Sequence, residues 1–383
     1  MPQPARQAPT YAYIDALRGW AIALVLLVHA GQGPFGVRAL DRYDPDAAGL
    51  TLPDWLQHIC DAGENGVVLF FVVSAASLTL SALARDDFDL KAYAIRRFLR
   101  IAPMFYGGAV FYALWFGLGP RLWAPAGIDW TDFAATIAFV HIWKTNAVNS
   151  VVPGGWSIGV EATFYACLPF VIVIAGKSTR AALVCCCAAV LATSLSTLLH
   201  LTTPGGPLAN VFTPYAPAFC CGICCAYVLH NRPVHPAGDP RWGTIASLLM
   251  GFLILIVSQI SHDPLLFSLI AATIIYLLHS APGRATLVSN PPMAAIGLVS
   301  FSMYLLHFAL LAPCYDLASR VTDDRGWVFL AIYYPVLMAS AFSASLLTYH
   351  FIKAPFVRLA KRLSAAASQT AGPKPARLRW QVA

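Results

Sequence analysis

The sequence predicts an all-α, polytopic integral membrane protein, and three observations carry that reading. Of 383 residues, 58% are hydrophobic and 11% charged, against roughly a quarter charged in soluble domains. The apolar residues gather into runs near the length of a bilayer span, about 20 residues each. Lys and Arg collect beside those runs, as they do on cytoplasmic flanks.

Ten such runs can be read, at 14–33, 65–84, 102–118, 157–176, 181–200, 211–229, 242–260, 264–280, 295–315 and 328–351. The first follows a polar, proline-containing tail, Met1–Thr10, with no small-residue cleavage pattern, so the first helix is expected to be retained. A loop, Gly31–Gly63, leads to the second run, and a basic connection, Ala84–Arg100, leads to the third. The stretch Thr131–Trp143 is apolar but short, and a loop containing Asn and Gly follows it; a re-entrant or interfacial segment near 131–145 is expected. The fourth run opens on Pro153-Gly-Gly-Trp156-Ser157, which reads as loop, breaker and helix start, with Ser157 as N-cap and Glu161 in the first turn. Runs five and six hold most of the ten cysteines. Cys221 and Cys224 have the spacing of a metal or redox pair, but no second pair or nearby His cluster completes four ligands, and no metal is expected.

Charge placement tests the count. The basic connection holds Arg85, Lys91, Arg96, Arg97 and Arg100, and the C-terminal region holds Lys353, Arg358, Lys361, Arg362, Lys374, Arg377 and Arg379. Ten spans put both in the cytoplasm together with both termini; a full span at 131–143 would put the basic tail outside. The net charge of +7 thus reports orientation in the membrane, and nucleic acid is not an expected partner, because the basic residues flank spans and form no module of their own. The expected organisation is a cytoplasmic tail over 1–10, a membrane domain over 11–355 and a basic, disordered cytoplasmic tail over 356–383.

Within the first run Arg18 and His29 enclose an uncharged stretch, Gly19–Val28. Eleven helical steps bring His29 to within about 20° of Arg18 and roughly 16 Å further along one face. Ionisable groups inside a span face a bundle interior or a polar cavity and mark a functional site. The bland reading keeps Arg18 at the interface with Asp15 one turn away, and His29 hydrogen-bonded near the other interface.

Four further polar clusters stand within or beside the apolar runs. Glu161 and Tyr165 stand one turn apart, either as a helix-start acid or as an acid at membrane depth. Arg96-Arg97-Phe98-Leu99-Arg100 either sets topology and touches anionic membrane lipid or binds a phosphorylated ligand through bidentate contacts. Phe70, Phe71 and Ser74 lie in the second run, and Ser300, Ser302, Tyr304 and His307 in the ninth, where hydrogen bonding between helices is the plain structural alternative. Topology places Arg18, Arg97 and Arg100 toward the cytoplasm, and His29, Phe70–Ser74 and Glu161 toward the middle or outer half.

At these residues the sequence resembles the membrane acyltransferase-3 family, whose members acylate hydroxyls on surface polysaccharides, lipopolysaccharide, peptidoglycan precursors, Nod factors and macrolides. The resemblance covers most of the chain. It rests on Arg18 and His29 separated by ten residues, the FFxxS element Phe70, Phe71 and Ser74, the RxxR element Arg97 and Arg100, the WSxxxE element Trp156, Ser157 and Glu161, and the late YLLH element Tyr304 and His307. Two departures are visible: Ala75 stands where the family typically has Gly, and GVEATFY replaces the commoner VEEQFY.

The resemblance implies an acyl-coenzyme A donor, commonly acetyl-coenzyme A, and a glycan or lipid-linked sugar acceptor at the bacterial inner membrane. His29 is then the general base, with Glu161 orienting it or holding the acceptor. Arg18, Arg97 and Arg100 would bind the donor, and Ser74, Trp156, Ser157, Tyr304 and His307 would line the substrate site. An acyl-enzyme route through His or Ser remains open at this level. Some family members carry a fused extracytoplasmic hydrolase-like domain; none is read here, which implies transfer by the membrane domain itself or by a separate extracytoplasmic transferase. The rival readings are acylation of a small natural product, and a secondary transporter using the same ionisable residues as a substrate or proton path.

Overall fold

A computed structural model describes residues 12–33, 50–85, 88–120, 123–202, 212–231, 240–254, 264–280 and 286–370. The regular elements among them are helical. In chain order they are α1 (Ala12–Gly31), α2 (Asp54–Asp61), α3 (Asn65–Leu83), α4 (Leu90–Phe116), α5 (Trp130–Ile137), α6 (Gly155–Ala175), α7 (Thr179–Thr202), α8 (Ala216–His230), α9 (Pro240–Phe252), α10 (Pro264–His279), α11 (Pro291–Ser319), α12 (Trp327–Thr348) and α13 (Ala354–Thr370). A π-helical turn, Tyr349–Lys353, joins the last two.

Each of the ten apolar runs contains helix, but among the described residues six helical segments are long and apolar enough to cross a membrane. They are Ala12–Gly31, Asp54–Leu83, Leu90–Phe116, Gly155–Ala175, Pro291–Ser319 and Trp327–Ala367. The runs at 211–229, 242–260 and 264–280 yield shorter helices, and part of the second of these lies outside the described residues.

Two local expectations change and a third holds. The third helix starts at Leu90, not near 102, because Asp89 caps it by accepting the Ala92 N–H at 3.0 Å. Arg96, Arg97 and Arg100 therefore ride on a helix that continues past Pro103. The region expected to be disordered from 356 is helical to Thr370, with Ala360, Ser364 and Ala367 buried on one stripe against α4; residues 371–383 lie outside the described residues. The segment after 130 is a short helix followed by two 3₁₀ turns, His141–Trp143 and Thr145–Ala147, which agrees with a piece too short to span.

The bundle is organised around α1. It packs on α11 and α3, and α3 in turn packs on α8 and α10. The approach of α1 to α11 is a backbone contact: a Cβ on Gly297 would overlap the Asp15 carbonyl oxygen, and one on Gly19 would overlap that of Met293. Small residues allow this closeness between apolar helices. Side chains tie α1 to its other neighbours, with Trp20 Nε1 donating to Val288 O, just before α11, at 3.0 Å and Tyr334 Oη of α12 donating to Ala23 O at 3.0 Å. Tyr112 of α4 donates to Leu305 O of α11 at 2.6 Å, so α4 is tied to the same pair.

The connection between α4 and α6 is fixed by charge. Asp129 and Asp132 form a capping box at the start of α5, and Lys144 Nζ stands 3.2 Å from Asp129 Oδ1 and 2.6 Å from Asp132 Oδ1. Hydrogen bonding from the Thr131 hydroxyl, then from the Asp132 N–H and Lys144, holds the Asp129 carboxyl well below the usual carboxylate range, and the bond to Asp132 raises Lys144. His141 donates from Nε2 to the Gly155 carbonyl at 2.9 Å with its ring stacked on Phe105, so this connection sets where α6 begins.

Two outcomes follow. Gly297→Val should lower the unfolding midpoint of the detergent-purified protein by overpacking, a cost of about 1–3 kcal/mol or more. Gly107→Ala, with no atom near its added methyl, should leave the midpoint unchanged or raise it. For the Lys144 node the sign is that of a depressed carboxyl: its contribution is present above the ordinary Asp pKa and is lost as pH falls through the folded value. Amide exchange across 129–150 should therefore stay protected through mildly acidic pH, whereas Asp132→Asn should accelerate it at neutral pH.

Candidate functional site

Two cavities meet inside the bundle. The first, about 60 Å³, lies toward the end where α1 begins and is lined by Arg18, Phe70, Phe71, Ser74, Arg100, Ser157, Glu161 and Tyr304, among others. The second, about 260 Å³, lies toward the opposite end and is lined by His29, Gln32, Asn65, Trp123, Asn149, Trp156, Tyr215 and Tyr304, among others. Val67 and Tyr304 line both.

In the first cavity a polar chain crosses an apolar core. Arg18 Nη1 donates to Asp15 Oδ1 at 3.0 Å and Nη2 donates to Ser77 Oγ at 3.0 Å. Ser77 Oγ donates to the Ser74 carbonyl at 3.1 Å, and Ser74 Oγ donates to Glu161 Oε1 at 2.7 Å. The same Oε1 accepts from Tyr165 Oη at 2.5 Å. Helix spacing explains the pairs: Asp15 and Arg18 are three apart, Glu161 and Tyr165 four. Arg100 lines this cavity, whereas Arg97 lines an apolar groove between α4 and α6 on the other side of Tyr165, with its guanidinium 5.8 Å from the Tyr165 ring centre and its Nε buried without a hydrogen-bond partner.

The start of α6 differs from the sequence reading. Its N-cap is Gly154, with φ of +73°, a conformation that a Cβ disfavours. Ser157 lies inside the first turn, and Glu161 falls in the second. Freed from capping, Ser157 Oγ donates to Tyr304 Oη at 2.8 Å, and Tyr304 Oη donates to the Gly154 carbonyl at 3.0 Å. These two bonds lock the tyrosine across the boundary between the cavities.

His29 lies on the second-cavity side. Its Nδ1 is 3.3 Å from Gln32 Oε1, which as an acceptor places the proton on Nδ1 and leaves Nε2 with a lone pair. The ring stacks on His307 at 5.1 Å and on Phe308 at 4.8 Å. His307 is fully buried, donates from Nδ1 to Tyr304 O at 2.7 Å, and keeps Nε2 without a hydrogen-bond partner in the protein.

The structure thus gathers Arg18, Arg100, Ser74, Ser157, Glu161 and Tyr304 about one cavity, and His29, Trp156 and Tyr304 about the other. His307 packs behind His29, and the hydrogen bond that orients His29 comes from Gln32. Gln32, one turn after His29, was detectable from spacing alone. Asn65, Trp123, Asn149 and Tyr215 were not, since they come from separate segments with no shared motif.

Ser74→Ala and Tyr165→Phe each remove one of the two donors on Glu161 Oε1, and each should lower stability by about 1 kcal/mol. Because both act on one oxygen, the double variant should depart from additivity by about 0.5 kcal/mol or more in equilibrium unfolding. Strict additivity would show that Glu161 is not held by both.

Comparison with known proteins bears on the chain as a whole. No curated protein and no solved structure gave a significant match. A family model described as an acyltransferase domain matches residues 11–350, which takes in the Arg18–His29 helix, the Glu161 node and the Tyr304–His307 turn. A match over that much of the chain shows the family, and the protein belongs to the acyltransferase-3 family of membrane acyltransferases.

Proposed function

We propose that the protein transfers an acyl group, acetyl in the simplest case, from acyl-coenzyme A to a hydroxyl of a surface polysaccharide or lipid-linked saccharide. The observation that carries this reading is the pair of cavities meeting at Tyr304, with Arg18 and Arg100 in one and His29 in the other. Two-substrate chemistry needs such separate approaches to one reacting centre.

The donor enters from the arginine end. Guanidinium groups suit phosphate oxygens, and the excess of Lys and Arg on this side supports a cytoplasmic face, where acyl-coenzyme A is made. Glu161, held by Ser74 and Tyr165, lines the path taken by the thioester. The acceptor approaches from the His29 side.

His29 Nε2 takes the acceptor proton as the hydroxyl oxygen attacks the thioester carbonyl. The carbon–sulfur bond breaks, the ester forms, and the protonated imidazole returns its proton to the leaving thiolate, giving coenzyme A and neutral His29. Gln32 holds the ring in the tautomer this requires, and His307 and Phe308 fix its plane.

The test is release of coenzyme A from acetyl-coenzyme A by detergent-purified protein, with and without a crude fraction of surface glycan or lipid-linked sugar. Acceptor-dependent release is expected, falling by about 10²-fold or more in His29→Ala. Size-exclusion and melting profiles establish that the variant is folded. A folded His29→Ala protein with full activity would overturn the role of His29; a wild type that releases nothing from any acyl donor would overturn acyl transfer.

A further inference from the structure

We propose that the groove between α4 and α6 binds one anionic phospholipid of the bilayer, with its phosphate held by Arg97 and one acyl chain lying along the groove. The site goes beyond acyl transfer and does not depend on it.

The groove holds about 610 Å³, more than either cavity of the candidate site. Its walls are almost wholly apolar. Ala94 of α4 and Ala162, Ala166 and Pro169 of α6 are small side chains that leave a trough between the two helices. Phe170, Val173 and Ile174 of α6 also line it and are exposed. On a helix of spanning length such residues meet hydrocarbon, so the groove opens toward the bilayer. Ile101 lines both this groove and the first cavity, and the RxxR element is thereby divided, Arg100 lining the cavity and Arg97 the groove.

Arg97 is the single charged residue among those walls, and no acid lines the groove. Both tyrosines there are already committed: Tyr93 Oη donates to Tyr165 O at 3.1 Å, and Tyr165 Oη donates to Glu161 Oε1. That carboxylate oxygen also accepts from Ser74, and Arg97 makes no ion pair or hydrogen bond among the described residues. Its guanidinium is steadied by the Tyr165 ring at 5.8 Å, and its terminal nitrogens, unlike Nε, are not buried. A cation within a spanning helix calls for a counter-charge, and a phosphate diester offers paired oxygens to the guanidinium fork. With no acid in the groove to receive an ammonium group, a headgroup of net negative charge is favoured over a zwitterionic one. Coenzyme A carries the same phosphate chemistry but no hydrocarbon chain to fill the trough. The cytoplasmic leaflet supplies anionic lipid on the basic side of the protein.

The test is native mass spectrometry of the full chain in a neutral detergent, titrated with phosphatidylglycerol and, separately, with phosphatidylcholine of the same acyl chains. The expected result is saturable binding of one phosphatidylglycerol, about fivefold or more tighter than phosphatidylcholine. That preference is lost in Arg97→Gln and in Ala166→Phe, which fills the trough and keeps the charge, and it survives in Arg96→Gln, which removes the neighbouring charge. An excess of coenzyme A, a soluble source of phosphate, leaves the lipid bound. Melting profiles establish that the variants are folded, and if one of Arg97→Gln and Ala166→Phe is not, the other decides. Equal binding of the two lipids, a preference retained in either folded groove variant, an equal loss in Arg96→Gln, or displacement by coenzyme A would overturn the site.

Discussion

The backbone contact between α1 and α11 determines the geometry of the site. Gly19 and Gly297 let the two helices approach until carbonyl oxygens meet the opposite backbone. That closeness sets His29 against His307 and aims Tyr304 at the loop before α6. A bulkier residue at either glycine would push the helices apart and separate groups far from the substitution. The contact is made by backbone atoms, Asp15 supplying its carbonyl oxygen while its side chain pairs with Arg18.

The polar groups obey a different constraint. Within an apolar bundle each donor or acceptor must find a partner or forfeit its hydration. Asp15, Arg18, Ser77, Ser74, Glu161 and Tyr165 meet it as one chain of contacts that links α1, α3 and α6. Exceptions among the described residues are scattered, from Thr79 and Ser345 to Arg97, and two of them border the larger cavity and its base. Asn65 Nδ2 and His307 Nε2 are both buried without a partner, one at the wall of the larger cavity and one behind the base.

Much of this was legible in the sequence because it is local. Arg18 and His29 share one helix, Glu161 and Tyr165 are a turn apart, and both relations follow from helical pitch. Helix boundaries were less legible. The Asp89 cap extended α4 backward through the RxxR element, the left-handed Gly154 displaced Ser157 from the cap, and an alanine-rich stripe folded α13 onto α4 where basic composition suggested disorder. The larger cavity was legible only in part, through His29, Trp156 and Tyr304. Trp123, Asn149 and Tyr215 reach it from three connections, and Tyr304 bonds to Gly154 across 150 positions, distances over which a pattern of apolar residues carries no information.

Tyr304, with Ser157 and the Gly154 carbonyl, also has an electrical meaning. Two water-accessible cavities joined end to end through a membrane protein would form a conduction path, and moving one elementary charge across the membrane potential is worth about 2.3 kcal/mol per 100 mV. A phenol pinned by two hydrogen bonds at the junction interrupts that path. On the proposed reading, with donor and acceptor arriving from opposite faces, the side chain that divides the two cavities would also oppose a leak of protons between them.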